Sequence, residues 1–248
     1  MKISVITASY NSSSTIADTL RSVAEQDYTD IEHIIIDGGS KDNTMEIVRS
    51  FPHVAIAISE KDKGIYDAMN KGVQRATGDI VAILNSDDFY NSSSVLSAVA
   101  FQFRDQNIDA VYGDLQYVKQ GNTNIVSRYW KAGKFSPSKF FYGWMPPHPA
   151  FFVRRKVYDQ VGLFNTTLRT SADYELMLRI LVKHKVKAAY LPAVLVKMRE
   201  GGLSNSSLSH RIKANKEDRL AWKLNGLQPN FFTLYLKPIR KIFQFIIK

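Results

Sequence analysis

The chain has 248 residues, is 45% hydrophobic, contains no cysteine and carries a formal net charge of +10. Its length suffices for one large domain with a full core, and the missing cysteines exclude disulfides and thiolate metal sites and suit a reducing compartment. Eleven Lys and Arg against three acids from Lys197 onward give that end +8 and leave the body near +2, which argues against a nucleic-acid footprint and for a polyanionic surface meeting the C-terminal end.

Lys2 to Thr7 alternates and then runs apolar, which predicts a first strand. Ser12 to Ser14 offer N-caps for a helix with Ile16, Leu20 and Val23 on one face. Ile31 to Ile36 is a second strand running into Asp37-Gly38-Gly39-Ser40, Asp42 can cap a helix through Arg49, and Val54 to Ile58 is a third strand. Gly64 to Ala76 reads as a helix stopped by Gly78. Ile80 to Leu84 is almost wholly apolar, as a central strand of a parallel sheet covered on both faces must be. A helix from Ser93 to Phe103 follows. This βαβα alternation predicts a doubly wound, mainly parallel sheet with helices on both faces over roughly the first hundred residues.

After Asp109 the rhythm changes. Ala110 to Val118 and Asn124 to Trp130 predict a hairpin around Gln120-Gly121-Asn122. Lys131 to Pro147 is aromatic and irregular, a candidate active-site loop, and Ala150 to Val153 is a short strand. Thr170 or Ser171 caps a helix with Leu176, Met177, Ile180 and Leu181 on one face. Val186 to Val196 gives one or two strands around Pro192, and Arg199 to Ser209 is a Gly/Ser/Asn-rich, mobile connection.

The last segment sets Phe231, Phe232, Leu234, Tyr235, Leu236, Ile239, Ile242, Phe243, Ile246 and Ile247 among Lys237, Arg240, Lys241 and Lys248, with Pro238 starting or kinking its final helix. It is too charged to span a bilayer and fits an interfacial anchor with snorkelling cations on an anionic membrane. The alternative is a helix docked on the core or on a second copy in a homodimer. The N-terminus lacks a signal peptide's apolar run, and no window of about 18 apolar residues occurs. The expected location is therefore cytoplasmic, peripheral at the inner face of the cell membrane.

The P-loop, dinucleotide, zincin and nucleophile-elbow motifs are missing. Instead, polar groups recur after successive strands: Ser9-Tyr10-Asn11, Asp37, Glu60 to Asp62, and Asn85 to Asp88. One alone is more often a turn or helix cap. Four together form a site, because the alternation brings all four strand ends to one edge of the sheet. Asp87 and Asp88 repel each other unless a cation or donors neutralise them, which points to a divalent metal and a phosphate-bearing ligand.

T-A-S-Y-N, D-G-G-S-K-D-N-T, G-I-Y-D-A-M-N-K-G and L-N-S-D-D-F-Y, in this order, resemble the family 2 glycosyltransferases over roughly residues 1 to 200, closest in flavour to bacterial enzymes of capsule, exopolysaccharide or O-antigen synthesis. The resemblance implies a GT-A fold, a nucleotide-diphosphate sugar donor, Mn²⁺ or Mg²⁺, and inversion at the anomeric carbon. It divides the chain into a glycosyltransferase domain at 1–205, with a nucleotide-binding half at 1–108 and an acceptor half at 109–205, and a basic amphipathic helical tail at 206–248. It places Ala8 and Tyr10 at the nucleobase, Asp37 on the uracil, and Asp62, Asn70 and Lys71 around the donor. Asn85-Ser86-Asp87 takes the family's Asp-x-Asp position: Asp87 binds the metal, Asp88 supports it, and Asn85 faces the ribose or diphosphate. The first Asp of that motif is Asn here, and Met69 stands where many relatives carry Arg.

Asp173 is the implied general base, with Glu175 as fallback; Ala172 replaces the usual Glu. An acid in a helix's first turn also has a plain reading as a partner of the dipole. His148 lies under the acceptor site by the same resemblance, Trp144, Trp130 and Tyr142 are candidates for stacking on sugar faces, and Gly201-Gly202-Leu203-Ser204 resembles a loop closing over the diphosphate, with His210 and Arg211 beyond it. The expected activity is transfer of a sugar, UDP-linked, to a lipid-linked glycan acceptor. A sugar-nucleotide nucleotidyltransferase and a non-catalytic membrane scaffold with a nucleotide fold remain the alternatives.

Overall fold

The computed structural model describes residues 1–201, 208–237 and 244, with the backbone alone for 208–212. Strands β1 (Ile3–Ser9), β2 (Ile31–Asp37), β3 (Val54–Ser59) and β4 (Ile80–Ile83) alternate with helices α1 (Ile16–Ala24), α2 (Thr44–Arg49) and α3 (Ile65–Arg75). β1 and β4 are buried along their whole length, whereas β3, at the sheet edge, alternates between half-buried and exposed. The period of two is visible in the core: Ile3 and Val5 of β1 join one apolar cluster, Ile6 and Ala8 the other. Ile16, Leu20 and Val23 of α1 are buried as the helical spacing predicts. The α1 cap differs, because no side chain caps the helix and the Ser12 carbonyl accepts from Ile16 N instead, at 2.9 Å. Asp42 does serve α2, accepting from Thr44 N at 3.1 Å.

The sheet order is β3-β2-β1-β4-β8-β6-β9-β5, with the short β5 (Phe89–Tyr90) at one edge. Pairs β1–β2, β2–β3 and β1–β4 are parallel, as expected. Beyond β4, where the βαβα alternation ends, antiparallel strands join the sheet. α4 (Val95–Gln102) leads to β6 (Ala110–Lys119) and its hairpin partner β7 (Asn122–Trp130), and the chain then passes through α5 (Pro137–Phe141) to β8 (Phe151–Arg154). β8 lies between β4 and β6 and is antiparallel to both, so β4 and β6 run in the same direction. β9 (Ala188–Arg199) is one strand, parallel to β6, and Pro192 sits in a register shift opposite Gly113, where its missing N–H breaks no ladder.

Two helices follow β8: α6 (Arg155–Val161), which the patterning did not reveal, and α7 (Ala172–Leu178), continued by a π turn over 179–183. Leu176, Met177, Ile180 and Leu181 are all buried, as expected. The described part of the expected tail is docked on the body. In α8 (Leu208–Leu224), Ala221 and Trp222 are fully buried, and Trp222 Nε1 donates to Tyr174 Oη at 2.9 Å. Leu234 is buried too, whereas Phe231, Phe232 and Tyr235 are exposed. Pro238, Ile239, Ile242, Phe243, Ile246 and Ile247 lie outside the described residues. No helix among the described residues is long and apolar enough to cross a membrane.

Candidate active site

β1 is the switch point of the parallel half, since β2 and β4 lie on its two sides and their loops diverge beyond its carboxyl end. The predicted groups gather there. Ala8 packs its side chain in the core, and Tyr10, 60% exposed, projects from the strand end. Asp37 is fully buried. Its Oδ1 accepts from the Ser9 and Ser40 hydroxyls; its Oδ2 accepts from Ser59 Oγ at 2.6 Å, Ser40 N at 2.8 Å and Gly39 N at 3.1 Å. Burial alone would raise this carboxyl, but the hydrogen bonds from Ser40, Ser59 and Ser9 prevail and hold it below its ordinary value. Asp37 thus pins three loops together beneath the crevice. Gly38 lets Asp62 and Tyr10 approach closely, since a Cβ there would lie 2.5 Å from Asp62 Oδ2 and push that carboxylate aside.

The loop after β4 holds the acidic pair. Asp88 is fully buried, and its Oδ2 accepts from Asn85 Nδ2 at 2.9 Å. Asp88 Oδ1 and Asn85 Oδ1 are buried with no partner among the described residues. Burial raises the Asp87 carboxyl; burial and then the charge of Asp87 raise that of Asp88 well above the carboxylate range. Ser86 bonds Ser12 Oγ at 2.8 Å and accepts from Thr15 at its carbonyl, so α1 fixes the loop. Arg199, buried at the end of β9, donates to the Asp87 carbonyl at 2.8 Å, pairs with Asp18 and lies over the Phe89 ring. Sequence reasoning missed Arg199 because its partners are 112 and 181 residues away.

Two oxygens with unmet demand beside a pair of acids that the Arg199 charge only partly offsets fit a divalent cation. The described residues contain no group of three or more ligating side chains. A hard cation of the Mg²⁺ or Mn²⁺ type does not require one, since it commonly takes one or two carboxylates and completes its sphere with substrate phosphates and water.

Asp173 stands in the first turn of α7, partly exposed, and Tyr66 Oη of α3 donates to its Oδ1 at 3.1 Å. His148 is buried with its ring edge-on to Phe164 at 5.5 Å; burial lowers its pKa, and the nearby Asp173 charge pulls the other way. Neither Thr170 nor Ser171 caps α7 through its side chain. Glu217 of α8 instead anchors the loop that leads into α7: its Oε2 accepts from the N–H groups of Arg169, Thr170 and Ser171 at 3.0, 2.7 and 3.1 Å, and from Thr170 Oγ1 at 2.7 Å. No local signal marks Glu217, because the loop it anchors lies 47 residues upstream.

Several expected residues have other tasks. Glu175 is buried, paired with Arg179 Nε at 3.1 Å and Nη2 at 2.8 Å, and accepts from Asn225 at 2.9 Å. Both its oxygens are engaged, so it is no alternative base. Trp144 is core rather than sugar platform: its ring packs on Tyr112, Phe135 and Phe140, and Nε1 donates to the Ala132 carbonyl at 2.7 Å. Asn70 turns away from the donor edge and clips the Phe164 backbone through both amide atoms, each bond 2.9 Å long. Lys71 pairs with Glu60 at 2.8 Å and Asp67 at 3.5 Å. Gly202 and Ser204 lie outside the described residues, as does the side chain of Arg211.

The sequence model of Glycosyl transferase family 2 matches residues 4–162. A PGL/p-HBAD biosynthesis glycosyltransferase of Mycobacterium bovis (strain BCG / Pasteur 1173P2) is 32% identical over 209 residues, covering 82% of this chain and 79% of the relative. Among solved structures, S. aureus TarS 1-349 in complex with UDP-GlcNAc superposes with a TM-score of 0.70 at 19% identity, over 95% of this chain and 69% of that one. The mannosyltransferase PcManGT from Pyrobaculum calidifontis, in complex with GDP-Man and Mn²⁺, gives 0.66 at 23% identity, over 95% and 68%.

Proposed function

The chain belongs to Glycosyl transferase family 2 and has the GT-A fold, and from that premise we propose that it passes a sugar, with inversion, from a nucleotide-diphosphate donor of the UDP type to a hydroxyl of a lipid-linked glycan in bacterial surface polysaccharide synthesis. The observation that carries the reading is the buried acidic loop after β4, where Asp88 Oδ1 and Asn85 Oδ1 lack partners among the described residues, together with Asp173, which Tyr66 ties to α3, the helix that leads into β4. One site suits a diphosphate with its cation, and the other suits proton transfer.

The division of labour follows. Tyr10 and the Gly38–Asp62 floor receive the nucleoside, and Asp37 acts beneath them by fixing the loops. Asp87, with Asp88 and Asn85 behind it, would hold a divalent cation, which when bound would supply Lewis-acid stabilisation of the charge developing on the departing diphosphate. Asp173, with Oδ1 held by Tyr66, accepts the acceptor hydroxyl's proton on Oδ2. The hydroxyl oxygen then bonds to the anomeric carbon from the face opposite the diphosphate, and the C1–O bond electrons leave with the nucleotide. His148, kept neutral by burial, stands beside the base.

The lipid-linked acceptor and peripheral location at the inner face of the membrane are supported by the +8 balance from Lys197 onward and by the exposed rings of Phe231, Phe232 and Tyr235. The test is nucleotide release from UDP-glucose, UDP-N-acetylglucosamine and GDP-mannose with Mn²⁺, comparing wild type with Asp87→Ala and Asp173→Ala. Turnover by wild type and a loss of about 10²- to 10⁴-fold in each variant is expected. Absence of both binding and turnover, with both substitutions silent, would defeat the enzyme reading.

A further inference from the structure

We propose that Tyr66 is a positioning residue for the base, locking one oxygen of Asp173 so that the other faces the acceptor hydroxyl. The proposal rests on the reading of Asp173 as general base. A carboxylate in the first turn of a helix can otherwise rotate about its side-chain bonds, and a base a fraction of an ångström out of line loses much of its effect. The Tyr66 phenol donates to Oδ1 at 3.1 Å, and Oδ2 has no hydrogen bond among the described residues.

The phenol is itself immobilised. Its ring stacks on Phe164 with centroids 5.8 Å apart and planes 22° from parallel. Phe164 is tied to the same helix, because Asn70, four residues beyond Tyr66 and hence on the same face of α3, donates to its carbonyl and accepts from its N–H. His148 closes the far side of Phe164 edge-on. Burial, then the Asp173 charge, raises the phenol well above its ordinary range, so it remains a donor at every working pH and is no acid or base itself. The G-I-Y-D-A-M-N-K-G motif therefore acts on both halves of the molecule. Its helix starts beside the donor crevice, and its Tyr and Asn reach over to the proton-transfer side.

Tyr66→Phe removes the hydroxyl and keeps the stacked ring. With the fastest of UDP-glucose, UDP-N-acetylglucosamine and GDP-mannose, Mn²⁺, and water as acceptor, kcat should fall about 10- to 100-fold, the loss set by one hydrogen bond to a charged group. KM for the donor should stay within about twofold, because the donor site is untouched. Asp173→Asn should be slower still, and Tyr66→Phe/Asp173→Asn should be no slower than Asp173→Asn alone, since a residue acting through Asp173 has nothing left to position. A Tyr66→Phe enzyme at wild-type kcat, with Asp173→Asn impaired, overturns the positioning role and leaves the base reading standing. An undiminished further loss in the double variant overturns it too, because Tyr66 would then act independently. Full activity in Asp173→Asn removes the base reading and this proposal with it. Thermal melting of Tyr66→Phe within a few degrees of wild type separates slowed chemistry from a damaged fold.

Discussion

Glu217→Ala tests whether one carboxylate on α8 anchors the loop that leads into α7, whose first turn carries Asp173. Its Oε2 takes three backbone N–H groups and one hydroxyl, and no side chain of α7 does that work. A hydrogen bond to a charged group contributes about 1.5–3 kcal/mol net. These bonds share one oxygen in a partly exposed setting, so water takes up part of the loss; about 2–3 kcal/mol is expected in all. At about 2–4 °C per kcal/mol for a chain of this size, Tm should fall by roughly 5–10 °C at pH 7. The linkage has a definite sign. Burial acts to raise Glu217, but the bonds from Thr170, Arg169 and Ser171 outweigh it and lower its pKa in the folded state. Its contribution is therefore present above the unfolded value near 4.5 and disappears as pH falls through the folded one. The gap between wild type and variant should close in acid, and Glu217→Gln, which keeps an acceptor oxygen without the charge, should fall between them. Melts within about 1 °C at pH 7, or a gap that persists unchanged at low pH, would refute the reasoning.

Saturating Mn²⁺ should raise the wild-type melting temperature, by the equivalent of about 2.7 kcal/mol at a hundred times Kd, and Asp87→Ala should lose most of that shift; an equal shift in both proteins would place the cation elsewhere. Glu175→Ala should destabilise the fold by about 3 kcal/mol, because it leaves the half-buried Arg179 with only the Val161 and Leu163 carbonyls and no counter-charge; denaturant melts read this, and an unchanged midpoint would count against it. Gly72→Val should cost about 1–3 kcal/mol by overpacking, since even a Cβ on Gly72 overlaps the Ile6 side chain of β1. Acid should also act through His33, which burial first and His53 second depress to about 3. Its share of stability is complete above about 6.5 and is lost as pH falls toward 3, roughly 2.7 kcal/mol of it by pH 4.5. A His33→Gln variant should show a shallower loss of Tm between pH 6.5 and 4.5, and an identical slope would rule this out.

The sequence was most legible where a residue's neighbours in space are also near in the chain. Ile16, Leu20 and Val23 name the buried face of α1 by spacing alone, and the apolar run from Ile80 names a strand buried on both sides. Alternation of such elements carries Ser9, Asp37, Asp62 and Asp87 to one edge, because parallel strands joined by helices must end on the same side. After Asp109 the hairpin around Gln120-Gly121-Asn122 was still legible, but the direction of β8 leaves no periodic mark, and α6 went unseen.

Near Asp173 the limit is sharper. Asp173 and Glu175 stand two residues apart in one helical turn, and local sequence gives both an acidic side chain near a helix start. The sequence by itself determined the parallel half of the sheet, the acidic loop after β4 and the family motifs, since each is encoded by spacing within a short stretch. Only the tertiary structure decided that Glu175 is clamped by Arg179 and Asn225 while Asp173 Oδ2, beside Tyr66, has no hydrogen bond among the described residues. The physical reason is that a carboxylate's role is set by its burial and its donors, and two of those donors, Tyr66 of α3 and Asn225 just after α8, lie 107 and 50 residues away.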